Sequence, residues 1–474
     1  MGKLYVYAIG GSGSRVLRSL TMLLANGIVC KDEIVPMIID PDYSNGDLVR
    51  TTNLMSLYGE IHNSLQFSNN TTNKFFSTDI SSFNKGGFLL PLIGTSGVNF
   101  ENYIKLSMMS RENQAFMRML FSDTNLSSDM NVGFKGNPNI GSIVLNQFTQ
   151  SQNFKAFENG FVQGDKVIII SSIFGGTGAS GFPLLLKTLR TSSNTALSSA
   201  PIGAVTLLPY FSLKVNDKSA IQADSFITKA KAALNYYEKN VTGNGTLNDM
   251  YYLGDVLPSG GYKNCDGGVD QQNDAHLIEL LAALAVIDFS SKRHSGTNMT
   301  SFHEFGLNST DAPQCVIFSD FGNKTLHLLR KPMTQFALMM SYLTNRDVPH
   351  MVSQKWAKER KSLLGEEFLR TDFYGWLLGF KLQYENWLSE MAKNKIAFKP
   401  FLDDKDITDV LNKINGMPEC KYGYNPFAKK SYDLIDEKLS KNLSKVQQNT
   451  GAPQAFMELF YIVTDELCSD KLKI

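Results

Sequence analysis

Short apolar runs alternate with amphipathic stretches along the chain, in an order that predicts strand, helix, strand from the start. Lys3–Ile9 is an apolar run of strand length. Val16, Leu17, Leu20, Leu23 and Leu24 then recur at helical spacing across Arg15–Asn26. Ile34–Ile39 is a second strand, closed by Asp40-Pro41-Asp42. These three pieces form one βαβ unit, the building block of a parallel sheet. The β-branched run Val167–Ile170 predicts a buried parallel strand. Leu184, Leu185, Leu186 and Leu189 follow at helical spacing, with Pro183 read in the first helical turn. Further strands are expected at Phe88–Gly97, Ile202–Leu208, Met250–Leu253 and Gln314–Phe318, and further helices at Glu101–Leu120 and Gln222–Asn240. Asp274–Phe289 is apolar almost all round, as a buried helix is. Beyond residue 331 helical periodicity dominates, notably over Phe373–Met391 and Lys429–Gln447. Polar or glycine-rich stretches at 68–84, 123–140, 257–272 and 290–312 read as loops. The fold class is therefore α/β: a parallel-sheet domain over 1–272, a buried connecting helix over 273–291, and a second, mostly helical domain over 292–474.

Two glycine-rich segments each follow an apolar strand directly. The first is Gly10-Gly11-Ser12-Gly13, and the second is Gly175-Gly176-Thr177-Gly178-Ala179-Ser180-Gly181. A glycine turn ahead of a helix lets backbone N–H groups approach a phosphate, and the helix N-terminus adds partial positive charge. A Walker A loop would need lysine where Phe182 stands, and the first segment lacks the third glycine of a dinucleotide-binding fingerprint. Either segment alone could be a tight turn without a ligand; two in one chain favour a nucleotide phosphate site.

The segment GGTGASG after an apolar strand resembles the tubulin/FtsZ superfamily signature GGGTG[ST]G. Asp165 before it and the proline and leucines after it also resemble the FtsZ version. Phe174 replaces the first glycine of the triple, which resembles divergent bacterial tubulin-like proteins. The resemblance covers about the first 290 residues. It implies a GTP- or GDP-binding protein, with Mg²⁺, that hydrolyses GTP and assembles head to tail into filaments. Carried over by position, Gly10 to Gly13 and Gly175 to Gly181 hold phosphates. Asp40 and Asp42 face the nucleotide and hold Mg²⁺ through water, or else form a turn capped by an Asp side chain. Asp217 and Lys218 match the ribose-contacting loop, or else lie in a solvated loop. Asp255, and Asn273 or Asp274, match the base-reading positions, where an ordinary N-cap is the alternative for the latter two.

The hydrolytic loop of the family carries an acidic pattern after the core helix. Here the corresponding stretch offers Glu304 and Asp311 without the family spacing. That departure, with the helical C-terminal region, supports a second reading: a non-hydrolysing, nucleotide-bound scaffold or sensor in a bacterial multiprotein system, with other protein partners. A third, a dinucleotide enzyme using Asp40 on a ribose, is disfavoured because both glycine segments depart from that fingerprint.

Composition narrows the class further. At 474 residues the chain can bury two or three domains, and its 43% apolar and 19% charged residues are ordinary for a globular protein. A net charge of +1 gives no bulk attraction for nucleic acid or anionic membrane. Five scattered cysteines without a CxxC pair suggest reduced thiols rather than a disulfide framework or zinc site. The chain opens on a strand rather than a signal peptide, and no apolar run reaches the roughly 18 residues of a membrane span. The expectation is a cytoplasmic protein.

Overall fold

The apolar runs become the centre of one parallel sheet. The computed structural model describes every residue except 1, 69, 84–86, 132, 135, 212–224, 243–244, 256–266, 295–298, 304–314, 404, 408, 423–428 and 447–449. Strand β1 (Lys3–Ile9) leads into helix α1 (Gly10–Ala25), strand β2 (Glu33–Ile39) and helix α2 (Gly46–Ser64). Helix α3 (Pro138–Leu145) precedes strand β3 (Lys166–Ser172), helix α4 (Gly176–Arg190) and strand β4 (Ile202–Leu207). Helix α5 (Ser225–Asn240), strand β5 (Asp249–Leu253), helix α6 (Leu277–Ser291) and strand β6 (Ser301–His303) complete this part. The sheet order is β2-β1-β3-β4-β5-β6, with every neighbouring pair parallel. In β1, β3 and β4 nearly every residue is buried, because helices cover both faces of such a sheet.

The direction of winding changes at β1. The βαβ crossovers are right-handed, so α1 and α4 cover opposite faces, and a crevice opens between the C-terminal ends of β1 and β3. Helix α6 is buried all along except at Asp288 and Ser291, and it packs on α1 and on strands β3, β4 and β5. It lies so close to β4 that a Cβ on Gly203 would stand 2.8 Å from the Phe289 ring.

The C-terminal part is mostly helical. Strand β7 (Cys315–Val316) pairs with strand β8 (Ala397–Phe398), between which lie α7 (Asn323–Asn345) and α8 (Asp372–Ala392). Helices α9 (Ser431–Asn442) and α10 (Ala452–Leu467) follow. Phe76 packs edge-on against Phe336 of α7 and Phe380 of α8. Each fully buried ring of this kind contributes about 1.5–3 kcal/mol. The indole N–H of Trp387 donates to Ser19 Oγ at 3.2 Å, and Tyr384 donates to Asn26 at 3.0 Å, fastening α8 to α1 and the turn after it.

Several expectations need correction. Both glycine segments lie inside the first turns of helices: α1 begins at Gly10 rather than Arg15, and α4 begins at Gly176, which puts Pro183 in the helix interior. Phe88–Gly97 gives one bridge, Ile38 to Leu89, instead of a strand. The Glu101–Leu120 helix is broken, because Lys105 takes a left-handed conformation (φ 55°) and Ser110 caps a new helix at Arg111. Strand β6 falls inside a stretch that reads as a loop, too short and polar to show an apolar period. Cys30, Cys315, Cys420 and Cys468 are free thiols.

Candidate functional site

Two helix N-termini meet at the crevice between β1 and β3. Gly10 has φ +75°, a left-handed conformation open to glycine, and it turns the chain from β1 straight into α1. A Cβ on Gly10 would lie 3.4 Å from Thr177 Cβ and 3.8 Å from the Gly178 nitrogen, so the α1 and α4 turns touch. A Cβ on Gly178 would stand 2.6 Å from the Ser172 carbonyl oxygen, so only glycine lets α4 press this closely onto the end of β3. Gly11, Ser12, Gly175, Thr177 and Ala179 are partly exposed or lie at the surface of the turns, while Gly13, Gly176, Ser180 and Gly181 are buried.

Helix starts without a side-chain cap or a first-turn acid also occur at α7 and α10 of the helical region, but neighbouring helices of the sheet domain are capped. Asn45 caps α2, Asn137 caps α3 and His276 caps α6, each with a side-chain acceptor. Neither α1 nor α4 has a side-chain cap, and neither has an acidic residue in its first turn. Two sets of helix-end N–H groups and two helix dipoles thus converge where no side chain compensates them, which is the arrangement that binds anions. Ser180 contributes no hydroxyl here, because its Oγ donates to the Gly176 carbonyl at 2.7 Å.

The other predicted residues are distributed unevenly around this crevice. Asp40 ends β2 and is buried, and burial pushes its carboxyl up to about 7. Its Oδ1 accepts the Asp42 N–H at 2.9 Å. Asp42 is committed to turn formation: Oδ1 accepts from the Ser44 N–H and hydroxyl, and Oδ2 accepts from the Gly268 N–H at 2.6 Å. Asn273 donates from its backbone and its side-chain amide to Asp47, at 3.0 and 2.8 Å, and its carbonyl accepts from Arg50. Burial raises the Asp274 carboxyl, and neighbouring Glu390 adds to the rise. The α6 N-cap is neither Asn273 nor Asp274 but His276, whose Nδ1 accepts the Ile278 N–H at 3.1 Å. Asp255 lies 4.0 Å from His276 Nε2; burial and Arg15 lower that imidazole to about 3 and keep it neutral. Asp217, Lys218, Glu304 and Asp311 lie outside the described residues.

Behind the α1 turn lies a buried charge network that the sequence reading misses. Arg15, 4% exposed, directs Nε to Glu279 at 2.7 Å and donates to the Tyr210 hydroxyl, which itself donates to Glu279 at 2.8 Å. Asp47 lies 3.8 Å from Arg15 and 2.6 Å from Arg50. Arg18 and Arg50 both pair with Glu390 of α8, at 2.6 and 3.0 Å, and Glu390 also accepts the Ala275 N–H. Three arginines thus face three carboxylates across α1, α2, α6 and α8. Phe174 packs on Phe211 and Phe226 at 5.5 and 5.0 Å. The Arg15 guanidinium lies 5.3 Å from the Phe211 ring centre. The signal is present in the chain: two arginines inside an apolar helix face, and one glutamate inside an otherwise apolar helix.

The fold and this edge define an α/β protein with two uncapped helix N-termini at the switch point of a parallel sheet. The chain is similar in structure to a point mutant of FtsZ from M. jannaschii, at 14% identity and a TM-score of 0.28, over 53% of this chain and 46% of that one. It is also similar to CetZ2 of Haloferax volcanii, solved as a GTPgS-bound protofilament, at 12% identity and a TM-score of 0.29, over 61% and 59% of the two chains. A third likeness is to CetZ of Methanosaeta thermophila strain DSM 6194, at 13% identity and a TM-score of 0.30, over 63% and 57%. The chain spans about half the length of these proteins. No family model and no curated protein matches it. No described helix is long and apolar enough to cross a membrane.

Proposed function

We propose that the chain is a tubulin/FtsZ-like guanine-nucleotide-binding protein that associates with itself. The observation that carries this reading is the pair of uncapped helix N-termini, α1 and α4, side by side at the C-terminal edge of the sheet. The amides of Gly10–Gly13 and Gly175–Gly181 hold the β- and γ-phosphates of GTP, or the diphosphate of GDP. Thr177 adds a hydroxyl. Asp40, whose Oδ1 accepts the Asp42 N–H, offers its other oxygen to hold Mg²⁺ through water, whereas both Asp42 oxygens already accept protein donors. Mg²⁺ there offsets phosphate charge and favours the ionised form of Asp40. Asp217 and Lys218 are assigned to the ribose, and Asp255 with Asp274 to the base edge. Glu304 and Asp311 would orient the attacking water in the site of the next copy of the chain. The crevice belongs to a unit ending near residue 272, with the 273–291 helix joining it to the rest, in a cytoplasmic protein.

A second reading has an observation of its own. The Arg18–Glu390 pair ties the phosphate-turn helix α1 to α8, and the Arg50–Glu390 pair ties the neighbouring α2 to the same carboxylate. Bound nucleotide would then fix the posture of the helical region for protein partners, without turnover.

Titration calorimetry with GTP, GDP and ATP in Mg²⁺, alongside light scattering and phosphate release, tests both. GTP-dependent scattering and release that rise with protein concentration are expected of the filament-forming reading; binding without either is expected of the scaffold. Gly10→Val forces a branched side chain into a left-handed conformation and should abolish binding. Absence of binding to all three nucleotides by the wild type sinks both readings.

A further inference from the structure

A groove of about 560 Å³ adjoins the crevice, between α3, α4 and α5, with Ile173 and, from the second glycine turn, Ala179 and Ser180 in its lining, and it is within the size range of small-molecule sites. Its walls are apolar: Pro183 and Leu184 of α4 on one side, Ala232 and Ala233 of α5 on the other. Asn139, Ser142, Ser180 and Tyr236 add polar atoms to the lining, and three further groups bring charge or an unpaired hydroxyl. Lys229 lies half-buried in the wall, and its ammonium donates to the Gly136 carbonyl at 2.7 Å. Burial lowers its pKa, and no described carboxylate contributes. Lys187 stands exposed at the rim. Tyr237, 1% exposed, lines the floor, and its hydroxyl has no hydrogen-bond partner among the described residues.

Two of these groups, Lys229 and Tyr237, are costly as they stand. An unpaired buried hydroxyl costs about 1–3 kcal/mol, and a desolvated ammonium needs a counter-charge. The ring of Tyr237 is pinned edge-on against Phe182 at 5.1 Å, so the hydroxyl cannot swing out to water without breaking that contact. One occupant meets all three needs. It carries negative charge for the lysines, an acceptor for the phenol, and an apolar body for the walls.

We infer that the groove binds a small organic anion, one carboxylate or phosphate on an apolar body, with the acid group on Lys229 and Lys187 and the body between Leu184 and Ala233. The Tyr237 hydroxyl donates to it. The groove borders the second glycine turn at Ala179 and Ser180, but the groups that hold the anion, Lys229, Lys187 and Tyr237, are not those assigned to phosphate, so the inference does not depend on the nucleotide reading.

Calorimetry on the full chain with 1-naphthyl phosphate, 1-naphthoate and the neutral 1-naphthalenemethanol tests it. The acids are expected to bind at least tenfold more tightly than the alcohol, and saturating GTP is expected to leave their affinity unchanged. Lys229→Gln should weaken the acids about tenfold and spare the alcohol. Ala232→Trp, at an exposed position, should block all three at an unchanged melting temperature. Tyr237→Phe should weaken the acids several-fold. Equal binding of acid and alcohol, no binding of either acid, displacement by GTP, or indifference to both Lys229→Gln and Ala232→Trp would overturn the proposal.

Discussion

At the N-terminal edge of the sheet the buried carboxylates are all engaged by donors. Asp249 accepts from Lys292, His294 and His303, Asp32 accepts from Lys166 and from Ser290, and Asp165 accepts the Lys3 N–H. At the C-terminal edge the chain does the reverse. At α1 and α4 it places glycines in the turns, omits the helix caps, and leaves peptide dipoles pointing at the crevice, although α2 and α6 at the same edge are capped by Asn45 and His276. Even Arg15, one turn behind, is neutralised by Glu279 rather than offered to a ligand. The difference separates a structural edge from a receptive one. Where side chains complete each other, the edge is finished by folding; where backbone donors converge uncompensated, something else must finish it.

The largest expected effect comes from breaking compensation in the buried network. Glu279→Ala leaves the Arg15 guanidinium without its nearest carboxylate in a site that is 1–4% exposed. Removing one partner of a buried pair costs about 3–5 kcal/mol. Urea denaturation should show a loss of that size, whereas Glu279→Ala with Arg15→Met should recover part of it. A loss near zero in the single variant would mean that Tyr210 and Asp47 suffice to hold Arg15.

A smaller effect is expected at Asp40, on the receptive edge. Its folded pKa, raised to about 7, exceeds the ordinary carboxyl value near 3.9. Stability from this group is therefore complete below pH about 4 and is lost as pH rises through 7. Asp40→Asn should remove that decline and stabilise the protein at pH 8 by up to a few kcal/mol, in melts without nucleotide. The same substitution should weaken Mg²⁺-dependent nucleotide binding. A variant as pH-sensitive as the wild type would show that Asp40 is ionised throughout.

How much of this is legible in the chain depends on where the information sits. Apolar runs such as Val167–Ile170 and the all-round apolar 274–289 stretch announce a covered sheet and a buried helix, because burial on every side leaves no polar period. The paired glycine segments announce the crevice. Their helical state is hidden, since apolar periodicity starts only after the glycines, and so both helices are expected to begin too late. The charge network is illegible for another reason. Asp47, Arg50 and Glu390 look like ordinary surface residues, and Glu390 is far from the other two in sequence; only the fold of α2 and α8 against α1 brings them together. Asn273 reads as a base contact by position, yet Asp47 already takes its amide.

The smallest effect falls on the compensated edge, and it sharpens the contrast by its sign. Burial is the largest single influence on the Asp249 carboxyl and opposes its ionisation, yet three donors together hold it well below the usual range. A depressed carboxyl stabilises the fold above its unfolded pKa, and that contribution is lost as pH falls below about 4. Lys292 and His303 are about a quarter exposed, so solvent screens part of the interaction. Asp249→Asn should therefore cost only about 1–2 kcal/mol at pH 7, the scale of charge-assisted hydrogen bonds. It should also flatten the acid limb of the stability curve between pH about 4 and 2, where Asp40→Asn changes nothing because that carboxyl is already protonated. Denaturant midpoints for the two variants across pH about 2–8 would diverge in opposite directions, one from the acid side and one from the neutral side. If Asp249→Asn instead left the acid limb unchanged, Asp249 would not be the group whose ionisation supports this edge.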